Sequence, residues 1–303
     1  MFQLKRRYVT IDVFTDRIFG GNPLAVVLDA QGLTTAQMQA IAMEFNYSET
    51  TFIFPPREAS HTAHVRIFTA RVEVPFAGHP NIGTAVVLAR ELEAQGNAPV
   101  EQFWFEETAG LVPLTLLRGA GSVVGAELTA PVGLSVGSSA SAEDAAACLG
   151  LAPAEIHTDI HAPVVLSVGL PFLVTELGTR DALRRATPDA AAHARILPPL
   201  GTDAVFAYVH GPLAGELHAR VFAPLDASPE DPATGSATAA AIAHLASLRS
   251  EADCDLAWRV QQGVDMGRPS LLLGRTEKRG GRVIAVRIAG YAVPVMQGFL
   301  QLD

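Results

Sequence analysis

The sequence predicts an α+β protein made of two pseudo-symmetric halves, each a mostly antiparallel sheet wrapped around a central helix. The first observation behind this is a repeated motif. His79-Pro80-Asn81-Ile82-Gly83-Thr84-Ala85 matches Asp231-Pro232-Ala233-Thr234-Gly235-Ser236-Ala237 as [HD]-P-x-x-G-[TS]-A, 152 positions apart. The second is that the likeness extends upstream: residues 64–70 match 218–224, and residues 48–54 match 202–208, both at an offset of 154. A length change of two residues between Phe68 and His79 reconciles the offsets. The third is the pattern along the chain, in which short apolar runs bounded by turn signals alternate with a few helical stripes. Three blocks in one order, about half the chain apart, read as a duplication with two copies.

The elements follow in order. Residues 8–14 alternate and predict a strand, Gly20-Gly21-Asn22-Pro23 a turn, and 24–28 a more buried strand. Thr34-x-x-Gln37 is a capping box, and the helix it opens carries Met38, Ile41, Ala42 and Phe45 as an apolar stripe. That helix ends near Asn46 and delivers Tyr47-Ser48-Glu49 to a strand at 50–54. A strand at 64–69 is followed by the turn 74–80, which opens a helix carrying Val86, Val87, Leu88 and Leu92. Strands at 104–106 and 111–117 close the first half. Gly119-Ala120-Gly121 and the Ser/Gly-rich 136–139 flank a linker region with one strand between them, which places the boundary between halves 1–122 and 123–291. In the second half the pattern predicts a helix at 143–149, strands at 164–168 and 172–176, and a helix beginning at 181–185. A turn and helix over 226–247 precede strands at 258–261, 270–274 and 283–288. The strand-like tail 292–303 is free to cross back to the first half.

Bulk composition bounds the function classes. At 303 residues the chain fits two domains of about 150 residues. Its 49% hydrophobic and 17% charged residues suffice for a core in each half. A net charge of −9 disfavours nucleic acid and anionic membrane surfaces as partners, while leaving an anionic small molecule open because site fields are local. Cys148 and Cys254 lack metal or redox spacing, so a reducing, cytoplasmic compartment is expected. The N-terminus has basic residues but no long apolar region, so no signal peptide is expected. No window of about 18 apolar residues predicts a membrane span.

The candidate chemistry lies at the two motif copies. Residues 228–240 read as a turn ending where a helix begins, with Pro232 near the helix start and Thr234 or Ser236 able to cap exposed amides. Helix N-termini with glycine and hydroxyls hold anions such as carboxylates, and Asp231 would stand beside one docked there. Alone, this stretch reads as a capped surface helix. With the second copy it reads as one of two anion-ready helix starts that are expected to face each other across an interdomain cleft, a preferred place for small-ligand pockets. Glu49 sits at the edge of an apolar strand, where a carboxyl can shuttle protons, although an isolated glutamate there also reads as a solvated strand end. His61 and His64 have metal-like spacing but no third ligand nearby in sequence, so no metal site is expected. The glycines from Gly119 to Gly125 miss the dinucleotide spacing, no phosphate-binding loop is present, and Ser236 lacks a nucleophile elbow.

Gly21-Asn22-Pro23, Asn46-Tyr47-Ser48-Glu49-Thr50-Thr51-Phe52, Pro75-Phe76-Ala77-Gly78-His79-Pro80 and Glu230-Asp231-Pro232-Ala233-Thr234-Gly235-Ser236-Ala237 together resemble the phenazine biosynthesis PhzF-like proteins, end to end. Gln262-Gly263 and Met266-Gly267-Arg268-Pro269-Ser270 add to the likeness. The resemblance implies a diaminopimelate epimerase-like fold of two similar halves with the site between them. The thiols of that epimerase have no counterparts among the motifs, which agrees with the isolated cysteines. It further implies a cofactor-independent isomerase, usually a homodimer, acting on a small carboxylate-bearing metabolite. In the best understood member a dihydro-hydroxyanthranilate isomerises by proton movement between carbons. Glu49 corresponds to the acid/base glutamate, and His79, Asp231 and Ser236 to the assisting residues. Gly78 and Gly235 correspond to backbone that contacts substrate, with Asn81 and Thr234 expected beside them. Ala70 departs from the pattern, since many relatives carry proline there. Two further readings stay open: an epimerase or racemase of an amino or hydroxy acid, and a non-catalytic ligand-binding protein with the same fold.

Overall fold

The alternation at the N-terminus becomes β1 (Leu4–Val13), the first strand of a computed structural model that describes residues 4–225 and 228–302. Asp226, where the predicted turn before the second motif begins, and Asp303, at the end of the predicted tail, lie outside the described residues. The chain divides into two compact units, one running up to Leu128 and resuming at Ala289, the other spanning Thr129–Ile288.

In the first unit β1 pairs antiparallel with β2 (Asn22–Val27), Ile11 opposite Leu24. From β2 the chain passes through α1 (Thr35–Phe45) to β3 (Glu49–Phe54), which lies parallel to β2 with Glu49 opposite Leu24. Next, β4 (Ala63–Phe68) pairs antiparallel with β3 and with the two-residue β5 (Glu73–Val74). Beyond α2 (Gly78–Ala94), β6 (Gln102–Glu107) returns parallel to β4. An antiparallel ribbon of β6, β7 (Gly110–Gly119) and β8 (Ser122–Thr129) completes this part of the sheet. The sheet is therefore mixed rather than purely antiparallel. Each parallel neighbour is reached through a helix, because parallel strands cannot be joined by a tight turn.

Local chemistry explains both helices of this unit. The Thr34 side chain accepts from the Gln37 amide at 3.2 Å, and the Gln37 side chain accepts from the Thr34 amide at 3.0 Å, forming the capping box that opens α1. Asn46 ends α1 in the left-handed region at φ 50°. Met38, Ile41 and Ala42 bury against Val27, Phe52 and Phe68. By contrast α2 is buried from His79 through Val87 and packs on β1, β2, β3 and β7. Such close approach explains the glycine of the repeated motif: a Cβ on Gly83 would stand 2.6 Å from Leu24 Cδ2 and 2.8 Å from Val13 Cγ2.

The second unit contains β9 (Ser135–Ser139), α3 (Ala142–Leu149), β10 (Ile156–His157), β11 (Val164–Ser167) and β12 (Pro171–Leu177). It continues with α4 (Arg180–Arg185), α5 (Ala190–Leu200), β13 (Val205–His210), β14 (Glu216–Phe222) and β15 (Glu230–Asp231). After α6 (Gly235–Ser247) come β16 (Cys254–Gln262), β17 (Ser270–Arg279) and β18 (Arg282–Leu302). Strand β13 lies parallel to β12 and antiparallel to β14, while β16 lies parallel to β14 and antiparallel to β17. The small residues of α6 let it bury almost completely against β11, β12, β16 and β17. The sequence reading splits β18 into two pieces, 283–288 and 292–303, but it is one strand. Its part from Ala289 onward belongs to the first unit, where Ala292 pairs with Val13 and Leu300 with Arg6. Among the described residues no helix is long and apolar enough to cross a membrane.

Candidate active site

Glu49 opens β3 and His79 is the second residue of α2, and the fold brings them together: Glu49 Oε2 lies 3.4 Å from His79 Nε2. The histidine side chain is 7% exposed and that of the glutamate 18%, so both are largely withdrawn from water. The His79 ring also hydrogen-bonds the backbone of Pro23. Proline has no N–H, so the carbonyl accepts and the ring donates. Because Nε2 has no hydrogen bond of good geometry, Nδ1 is the donor. Burial lowers the pKa of His79 to about 3, with the Pro23 bond acting the other way. A neutral ring therefore presents its Nε2 lone pair to Glu49.

This charge state is directly testable. With the folded pKa lowered to about 3, His79 takes up its proton in the unfolded chain first as pH falls through about 6.5. It should therefore withdraw about 1.4 kcal/mol of stability per pH unit below that point, reaching its full effect near the folded pKa. Nitrogen-15 NMR of the His79 ring at about pH 5.5 should show a neutral, Nδ1-protonated imidazole, and a midpoint near the ordinary 6.5 would contradict this.

Around this pair, Gly78 is half-buried at the first position of α2, and the helix has no side-chain cap at Ala77. Its first-turn amides are thus not spent within the helix. Asn81 is fully buried, and its Nδ2 donates to the Ala77 carbonyl at 3.0 Å, bracing the turn from inside.

The second motif is built differently. Asp231 ends β15, and Thr234 Oγ1 donates to its Oδ2 at 2.5 Å instead of capping α6. Gln262, fully buried at the end of β16, holds this turn: its Nε2 donates to the Asp231 carbonyl at 2.8 Å and lies 3.0 Å from Thr234 Oγ1. Its Oε1 accepts from the Thr234 amide at 3.1 Å. With these backbone groups tied outside the helix, α6 starts at Gly235, with Thr234 at the N-cap position the sequence suggests but its side chain turned to Asp231 rather than to the helix amides. Buried Gly235 and half-buried Ser236 occupy the first turn. Asp231 thus accepts a hydrogen bond from Thr234 in the second unit, whereas in the first Glu49 stands 3.4 Å from His79.

Two supports of this turn escape sequence reading. Gln262 lies 31 positions from Asp231, and only the family likeness touches it. Arg220 is the other: its guanidinium takes both oxygens of Glu230 at 2.8 Å, so the residue just before Asp231 is pinned. Gly263, next to Gln262, stands at φ 72°, and a Cβ there would meet the Arg268 carbonyl oxygen at 2.4 Å and that of Pro232 at 2.6 Å. Gly263→Ala should therefore cost about 1–3 kcal/mol, read as a lowered urea midpoint.

Neither cysteine is disulfide-bonded, and burial pushes the Cys148 thiol up to about 11, so it is no ready nucleophile. Among the described residues no group of three or more His, Cys, Asp or Glu side chains could hold a metal ion.

Comparison with known proteins places this architecture. A family model described as phenazine biosynthesis-like protein, PhzC-PhzF, matches residues 11–298. An uncharacterized isomerase of Mesorhizobium japonicum is 38% identical over 97% of this chain and 98% of the relative. The trans-2,3-dihydro-3-hydroxyanthranilate isomerase of Pseudomonas aeruginosa is 34% identical over 96% of this chain and 98% of its own. The crystal structure of the Bacillus anthracis phenazine biosynthesis protein of the PhzF family superposes with a TM-score of 0.85, covering 98% and 99% of the two chains at 23% identity. That last likeness is one of fold alone. The α+β fold and these relatives define an isomerase. Its chain belongs to the PhzC-PhzF, phenazine biosynthesis-like family.

Proposed function

We propose that the protein moves a proton between carbons of a small carboxylate-bearing substrate, without a cofactor, and that Glu49 is the general acid/base. The observation that carries this reading is the 3.4 Å approach of Glu49 Oε2 to His79 Nε2 beside the uncapped start of α2. The Glu49 carboxylate removes a proton from a carbon next to a π-system, and the released electron pair delocalises into that system. Protonated Glu49 then donates to Nε2 of neutral His79, which orients it, and gives the proton back at another carbon of the same molecule. Atoms and charge balance with no other reactant. The amides of Gly235 and Ser236 are assigned to the substrate carboxylate, with Asp231 and Thr234 orienting it. General acid–base catalysis accounts for about 10²–10⁴-fold of the rate, and electrostatic stabilisation of the anionic intermediate for much of the rest.

The reading of two halves with one fold finds support in repeated local structure. In the first unit Arg66 on β4 takes both oxygens of Glu73 at 2.7 and 2.6 Å and lies 5.2 Å from the Phe68 ring centroid. In the second, Arg220 on β14 does the same to Glu230 and lies 4.6 Å from the Phe222 ring centroid. The order of parallel and antiparallel pairings around α2 recurs around α6.

The test is proton NMR in deuterated buffer with trans-2,3-dihydro-3-hydroxyanthranilate, the substrate named for the relatives, and a panel of small carboxylic acids. Enzyme-dependent deuterium uptake with a shifted double bond supports the proposal, whereas uptake with inversion at a stereocentre makes the protein an epimerase. Binding without uptake into any compound makes it a binding protein. A homodimer, as the family likeness implies, is proposed as the assembly and is read by sedimentation equilibrium.

A further inference from the structure

We propose that Glu107 is a positioning residue of the Glu49–His79 site, acting as a neutral carboxylic acid that braces, through Asn81, the first turn of α2. The inference rests on the proposed function only in that this turn matters because it carries His79.

Glu106 and Glu107 end β6, and successive strand residues point to opposite faces. Their fates differ accordingly. The Glu106 carboxyl accepts from the amides of Arg57 and Glu58, both at 2.9 Å, and meets His61 Nδ1 at 2.8 Å. Burial pushes it up, but these bonds outweigh burial and hold it at about 2. Glu107 has no such company. It is 8% exposed, and the group against it is the Asn81 side chain on α2. Burial pushes its carboxyl up to about 8, with only the Asn81 amide opposing. Asn81 spends an N–H on the Ala77 carbonyl, while its Oδ1 and both Glu107 oxygens lack hydrogen bonds of good geometry. Asn81 keeps one N–H for three acceptor oxygens, its own Oδ1 and the two of Glu107, and a proton on Glu107 supplies a second donor.

The shift of Glu107 is set by burial and Asn81. Opposite Glu107 on β7 is Gly110, and on β4 the ionisable His64 stands opposite Glu106 and contacts Arg57 on the other face. The tip of the β6–β7 hairpin is fastened to the segment entering α2 by the Ala109 amide, which donates to the Pro75 carbonyl at 3.1 Å.

Register adds an independent argument. On β4 His64 pairs with Glu106, and on β14 His218, its match in the repeat, pairs with Gln261. Glu107 thus holds in β6 the place Gln262 holds in β16, and Gln262 uses a donor and an acceptor to hold the turn before α6. A protonated carboxyl offers the same pair of edges as a carboxamide, whereas a carboxylate offers acceptors only.

Wild type, Glu107→Gln and Glu107→Ala are compared as full chains by carboxyl carbon-13 NMR, His79 ring nitrogen-15 NMR and deuterium uptake from about pH 6 to 9.5. In wild type the Glu107 carboxyl should titrate near 8, and the His79 signals and kcat should change with it while KM holds. Glu107→Gln should abolish that alkaline change. It should also gain in urea midpoint over wild type as pH rises from about 4.5 to about 8, and hold the gain above, because the folded chain keeps a proton that the unfolded chain has released. Glu107→Ala should shift the His79 signals and lower kcat by about tenfold or more at every pH. Titration of Glu107 near 4.5, or unmoved His79 signals in Glu107→Ala, would overturn the assignment. Should Glu107→Ala not fold, the wild-type titration and Glu107→Gln decide the matter. Should wild type exchange no substrate, the proposed function fails while both NMR readouts still judge Glu107.

Discussion

Glu49→Gln is expected to lose enzyme-dependent deuterium uptake into substrate by about 10²–10⁴-fold, the contribution of a positioned general acid/base. Its fold should survive. Glutamine has the shape of glutamate, and its amide N–H can donate to the His79 Nε2 lone pair that faces the carboxyl at 3.4 Å. The variant therefore removes the proposed proton-carrying function while retaining the contact, so KM and the urea midpoint should stay near wild-type values and kcat alone should collapse. His79→Gln provides the contrast. In the proposed mechanism neutral His79 orients the carboxyl without itself gaining a charge, so its loss should cost less than that of Glu49 and leave a measurable rate. If Glu49→Gln exchanges substrate protons at the wild-type rate, the base lies elsewhere, and Asp231→Asn becomes the variant to measure.

How far the site could be read from sequence depends on the range of each signal. The capping box of Thr34 and Gln37 is a four-residue pattern with its own hydrogen bonds, so it was legible. The motif glycine was legible as a repeat, although the reason for it at Gly83, contact with Leu24 and Val13, belongs to the packed structure. Helix α5 has no counterpart in the sequence reading: it contains Pro198 and Pro199, residues that break helices in their interior, but they fall in its last turn before Gly201 closes it at φ 81°. The two motif copies suggested equivalent helix starts. Gln262 breaks that equivalence by binding the backbone at Asp231 and Thr234, so α6 opens at Gly235 while α2 opens at Gly78. The hydrogen bond of His79 to Pro23 and the opposite fates of Glu106 and Glu107 depend on partners far along the chain. No local pattern encodes them.

Arg220→Met should destabilise the protein by about 3–5 kcal/mol, the cost of stripping one partner from a buried ion pair. The Arg220 side chain is 10% exposed and that of Glu230 14%, and the guanidinium also donates to the carbonyls of Leu183, Arg184 and Ala186 at 3.0, 3.2 and 2.8 Å. Methionine retains the apolar stem over Phe222 but leaves Glu230 a nearly buried, uncompensated charge and three carbonyls without their donor. The matching change in the first unit sets beside this a fork that is more exposed and holds none of those carbonyls. Arg66 grips Glu73 with the same fork, but their side chains are 22% and 29% exposed, so water screens the pair and Arg66→Met should cost about 1 kcal/mol or less. Urea denaturation of the two variants would measure the difference, and equal losses would refute burial and the carbonyl bonds together as its cause. Glu230 immediately precedes Asp231, so Arg220→Met should also lower kcat under conditions where the variant remains folded, whereas Arg220→Met with Glu230→Gln should recover stability by removing the orphaned charge.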